Sequence, residues 1–93
     1  MDRYTLVISE QAQRALAEIL KKHQEFEPAW RAVCLLLERV PHTRTIRGQS
    51  YGMVPLDRHP VFNYPAYTIY FRIRGAAVEV TAIEESPPEE EEG

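Results

Sequence analysis

The chain reads as a small α+β domain. It has an N-terminal strand and a two-helix hairpin packed on a small antiparallel sheet, in the order β-α-α-β-β-β. Three observations predict this. A β-branched and aromatic run, YTLVI, stands at 4–8. Two stretches with helical spacing of apolar residues follow it. Finally, YTIYFRIRGAAVEVTAI at 67–83 alternates apolar and polar residues about a Gly-Ala turn. Ninety-three residues suffice for one core and are too few for two.

Each element has its own local cause. Ser9 caps the first helix by accepting a free backbone N–H, and Glu10 suits the positive helix start. Ala12, Ala15, Leu16, Ile19 and Leu20 recur at i, i+3, i+4, i+7 and i+8, so they share one face. Lys21, Lys22 and His23 complement the negative end. Glu27-Pro28 starts the second helix, because a proline's missing N–H costs nothing in a first turn. Its apolar stripe is Trp30, Val33, Cys34, Leu37 and Val40, and Pro41 blocks continuation. In that stripe Cys34 reads as a small core hydrophobe and Trp30 as filler between the helices. The pattern weakens from 42 to 65. Tyr51, Met53 and Val54 mark a strand near 50–56, which Pro55 confines to an edge or cuts short, and 57–65 reads as a loop.

A two-residue turn at Gly75-Ala76 sets the hairpin register, with Arg74 opposite Ala77. Ile73 then faces Val78, Phe71 faces Val80 and Ile69 faces Ala82, an apolar face throughout. Arg72 opposes Glu79, Tyr70 opposes Thr81 and Thr68 opposes Ile83 on the other face. The helices are expected to cover the apolar face through Ala12, Leu16, Ile19, Trp30, Val33, Leu37, Ile69, Phe71, Ile73, Val78 and Val80.

The net charge of −3 conceals two opposite signals. Glu84, Glu85 and Glu89 to Glu92 supply 6 of the 14 acidic residues, and without them the body carries 11 basic against 8 acidic groups. Between Arg39 and Arg74 six arginines stand against Asp57 alone. Residues 1–85 are read as one domain, and 86–93 as a disordered acidic tail that cannot build a core. As a flexible tether that tail has a span of roughly 15 Å, and it reads either as a solubilising end with no specific contact or as a competitor with nucleic acid for the basic patch. No apolar run approaches bilayer length, the N-terminus lacks a signal-peptide pattern, and one cysteine forms no internal disulfide. A cytoplasmic protein is expected, with no membrane contact, metal or small-molecule cofactor.

Arg44, Arg47, Arg58, Arg72 and Arg74 are the candidate contacts for nucleic-acid phosphates. His42, His59, Arg58 and Arg72 are the candidates for catalysis, the histidines as acid or base near neutral pH. Each also has a plainer reading. Loop arginines commonly solvate a surface, both histidines sit beside prolines in irregular segments, and Arg72 opposite Glu79 makes a cross-strand pair. Tyr51 and Tyr70 flank an open-face groove or fill half-buried sheet positions. No Ser/His/Asp set, glycine loop or metal-ligand spacing stands out.

The runs YTLVISEQAQRALAEI and AYTIYFRIRGAAVEVTAI resemble the RelE/ParE superfamily of toxins from type II toxin–antitoxin systems, over about residues 4–83. There a strand leads into "A…L..I" helix spacing, and a "Y.I.Y.I…..V.V..I" hairpin closes the sheet. The resemblance implies a toxin bound and neutralised by a cognate antitoxin. It also implies either ribosome-dependent mRNA cleavage or poisoning of DNA gyrase. Cleavage needs a base, an acid and cations around the phosphate. RelE-like nucleases place lysines on the strand before the hairpin, an arginine after the hairpin tyrosine, and basic and tyrosine residues after the last strand. This chain has Tyr51-Gly52-Met53-Val54, then Thr68 after Tyr67, then Glu84 and Glu85. The usual nuclease residues are missing. The resemblance therefore points to action by protein contact, with gyrase as the target. Two alternatives stay open: a divergent mRNA endonuclease built on His42 or His59 with the arginines, and a non-toxic interaction module that retains the fold.

Overall fold

The computed structural model describes residues 3–62 and 64–86. β1 (Thr5–Ile8) leads into α1 (Glu10–Lys22), a 3-10 turn (Gln24–Phe26) and α2 (Glu27–Arg39). A second 3-10 turn (Pro41–Arg44) precedes β2 (Tyr51–Leu56), β3 (Tyr67–Arg74) and β4 (Ala77–Glu85). Ser9 caps α1 as expected, its Oγ accepting from the Ala12 N–H at 3.1 Å. The same hydroxyl donates to the Thr81 carbonyl, also at 3.1 Å, and so ties the helix start to β4. Pro28 lies in the first turn of α2, and Pro41 opens a new turn after the helix has ended.

The four strands form one sheet in the order β1-β4-β3-β2. The expected purely antiparallel sheet is corrected to a mixed one, because β1 runs parallel to β4. Chain direction explains this. The helical hairpin returns the chain to the end where β1 began, so β2 starts out parallel to β1. Two reversals, β2 to β3 and β3 to β4, then leave β4 running the same way. β2 is an edge strand with Pro55 inside it, where no neighbouring strand needs the missing N–H.

The hairpin register holds from the turn as far as Phe71 opposite Val80, then shifts between Tyr70 and Phe71. Beyond that point Ile69 pairs with Ile83 rather than Ala82, Tyr70 with Ala82 rather than Thr81, and Thr68 with Glu84 rather than Ile83. Thr81 is the extra residue of a β-bulge, and its hydroxyl donates to the Tyr70 carbonyl at 3.3 Å. The bulge moves the strand's phase by one. Ile83 therefore turns into the core while Ala82 stays out of it, which buries the larger side chain.

Both helices cover one sheet face, as the sequence implies. Ala12, Ile19, Trp30, Val33, Leu37, Ile69, Phe71, Val78 and Val80 are buried. Leu16 and Ile73, expected in the core, pack at its margin and stay partly exposed. The core extends further than expected, through Phe26, Val54, Tyr64, Tyr67 and Ile83. Phe26 meets Tyr64 edge-on at 5.5 Å between ring centroids and Tyr67 at 5.1 Å. These rings close the end of the molecule opposite the hairpin turn.

Candidate functional site

The face without helices carries a groove of about 550 Å³ between Tyr51, Tyr70, Arg72, Thr81, Ala82 and Glu84. Strand register aligns one row across it: Val7 on β1, Glu79 on β4, Arg72 on β3 and Tyr51 on β2. Val7, Tyr51 and Met53 are 44%, 50% and 40% exposed, so the row is flanked by apolar surface at both edges. In its middle the Arg72 Nε donates to the Glu79 Oε1 at 2.7 Å. That is the cross-strand pair, and it engages the cation that a phosphate would need.

The arginines divide by position along the strands. Arg74 stands beside the hairpin turn, and Arg3 adjoins Gly75 and Ala76. Arg39 ends α2 near the start of β1, where the Tyr4 N–H bonds to the Glu38 carbonyl at 2.8 Å. Arg44 and Arg47 flank the turn that leads into β2, whose Ser50 carbonyl accepts from the Ile73 N–H at 2.6 Å. With Arg72, six of the 11 basic residues collect at this end. Arg58 does not join them. It follows Leu56 at the far end of β2, beyond roughly 16 Å of strand from Tyr51. The structure thus separates Arg58 from Arg44 and Arg47, with which it was grouped.

Backbone contact holds the Arg44 segment in place. Thr45 makes an isolated antiparallel bridge to Gly52. A Cβ on Gly52 would sit 2.0 Å from the Arg44 carbonyl oxygen, so only glycine allows that approach. The next turn closes through the Gln49 N–H on the Ile46 carbonyl at 2.8 Å and places Arg47 at its tip. Gly48 takes φ +78 there, the left-handed conformation such a turn requires.

Neither histidine reaches the open face. His42 bonds through Nε2 to the Tyr4 hydroxyl at 2.8 Å, with the rings edge-on at 5.8 Å. Tyr4 packs against the core, so the pair sits on the helix side. His59 Nδ1 accepts two backbone N–H groups, from Val61 at 3.2 Å and Phe62 at 3.1 Å. Its ring lies between Phe62 and Tyr64. His59 organises its loop, and its Nδ1 lone pair is engaged. The catalytic set of His42, His59, Arg58 and Arg72 is therefore dispersed over both ends and both faces.

Two groups have shifted titrations. Burial, then the charge of Glu38, pushes the Cys34 thiol up to about 11, which leaves it protonated and a poor nucleophile. Burial, then Glu85, raises the Tyr67 hydroxyl above its ordinary value. Ser86, assigned by the sequence to the tail, is held to β3: its N–H bonds to the Ala66 carbonyl at 2.8 Å and its hydroxyl meets Thr68 at 2.9 Å. Residues 87–93 lie outside the described residues. The chain leaves Ser86 at the end opposite Arg74, roughly 26 Å of strand away.

Sequence reasoning missed Tyr4 as the partner of His42, and Arg3 and Arg39 as neighbours of Arg74. These are distant in sequence, and the parallel β1–β4 pairing that joins them had no local signal. Among the described residues, no cluster of His, Cys, Asp or Glu could hold a metal ion. Among the described residues, no helix is long and apolar enough to cross a membrane. Compared with models of protein families, with curated proteins and with solved structures, the chain gives no match.

Proposed function

We propose that this chain is a RelE/ParE-like toxin component that acts by protein contact, with DNA gyrase as its target and a cognate antitoxin as its neutralising partner. One observation carries this reading. The helix-free sheet face exposes Val7, Tyr51 and Met53 around an arginine already paired with Glu79, while both histidines are engaged elsewhere. Aromatic side chains, methionine and arginine are the residues that enrich protein interfaces. Nuclease chemistry would instead need a free acid, a free base and unpaired cations at one point. The element order and the hairpin pattern supply the family side of the proposal.

Inducible expression in a bacterial host tests it. Growth arrest with DNA damage and intact mRNA is the expected result, relieved by co-expressing a cognate antitoxin if a small reading frame adjoins this gene. Arrest with cleaved mRNA would support the endonuclease instead. Unimpaired growth would leave a non-toxic interaction module.

A further inference from the structure

We propose that the hairpin-turn end binds single-stranded nucleic acid, its arginines holding phosphates and Tyr51 stacking a base. The inference rests on where these side chains stand and is independent of the toxin reading. Arg39, Arg44, Arg47 and Arg74 are exposed, and among the described residues none of them forms an ion pair. The acidic groups described at this end are Glu38 and Glu79, and Glu79 is taken by Arg72. An uncompensated cationic surface results, although the whole chain is formally negative.

Three features select the ligand. Every basic side chain gathered here is an arginine, whose planar fork matches phosphate oxygens. The cations come from a strand end, a turn tip and a helix end. Tyr51, half exposed, stands beside Arg72 on the open face, and base stacking on aromatic rings needs no sequence. The C-terminus of α2 also lies here and carries partial negative charge, so the phosphates follow the strand side, past Arg74 and Arg47.

The test uses the full chain and fluorescence anisotropy with labelled oligo-dT and oligo-rU across a salt series. About four phosphate contacts should give a slope of log K against log salt of about −3. Arg47→Ala with Arg74→Ala should reduce that slope by about half. Tyr51→Ala should weaken binding about tenfold and leave the slope unchanged. Arg58→Ala, at the other end, should change neither. Tighter binding of one oligomer identifies RNA or DNA as the preferred source, and either supports the proposal. It is overturned if neither oligomer binds at low salt, if Arg58→Ala costs as much as Arg74→Ala, or if a duplex binds as tightly while Tyr51→Ala has no effect. Displacement by polyglutamate at equal charge would also overturn it, and would mark the end as a surface for acidic peptides.

Discussion

The two ends of the sheet are built by opposite means. At one, Phe26, Tyr64 and Tyr67 pack ring against ring and His59 accepts two backbone N–H groups, so the side chains are occupied with one another. At the other, backbone does the holding: the hairpin turn, the Thr45–Gly52 bridge and the Arg44 carbonyl lying over Gly52. Arg39, Arg44, Arg47 and Arg74 are left to solvent there. Main-chain bonds hold the Arg44 segment without engaging its arginine side chains, so Arg44 and Arg47 stay exposed there.

Removing a ring should break the contrast most severely. Phe26 is 0% exposed, and Phe26→Ala should cost about 3–5 kcal/mol by urea denaturation, enough to threaten a small domain. Gly52→Ala attacks the other end, where the added methyl must displace the Arg44 carbonyl. An overpacking cost of about 1–3 kcal/mol is expected, with faster amide exchange confined to the Arg44–Gly52 segment. The histidines separate the two ends again. His59→Ala removes two exposed bonds from backbone N–H groups and should cost about 0.5–1.5 kcal/mol. His42→Ala loses one exposed bond to Tyr4 and should cost less than about 1 kcal/mol by the same measurement.

Alkaline pH should loosen the aromatic end first. The folded-state Tyr67 hydroxyl titrates above its ordinary 10.0. The unfolded chain therefore releases this proton first, and stability present below pH 10.0 declines as pH rises past it. Tyr67→Phe should flatten that decline in denaturation midpoints measured across alkaline pH. The smallest effect belongs to Arg72 and Glu79, which are 48% and 24% exposed. A double-mutant cycle to alanine should give a coupling of about 0.2–1 kcal/mol, shrinking with salt.

Legibility in the sequence followed the range of the interaction. Both helices, the Ser9 cap, the edge position of Pro55 and the hairpin turn are set by neighbours a few residues apart, and all were readable. The parallel β1–β4 pair joins residues about 70 apart, and alternation within a strand is silent on which neighbour it takes. Alternation also concealed the bulge, since Ala82 looked acceptable in the apolar row. Only the size difference between Ala82 and Ile83 hinted that the phase would slip. Of the candidate site, the arginines of β3 were readable as facing away from the core. The dispersal of Arg58 and both histidines was not, because they stand in segments with no periodicity.

Pro55 carries a consequence for the protein in a crowded solution. An edge strand is a template on which a second chain can extend the ladder, the first step toward fibrous association. β2 is such an edge, six residues long and partly apolar at Tyr51, Met53 and Val54. The Thr45 bridge occupies its Gly52 end, and Pro55 offers no N–H near the other. Between them too few adjacent donors remain for a foreign strand to register against. The segment bridged through Thr45 and the proline inside the strand together deny the β2 border to copies of itself.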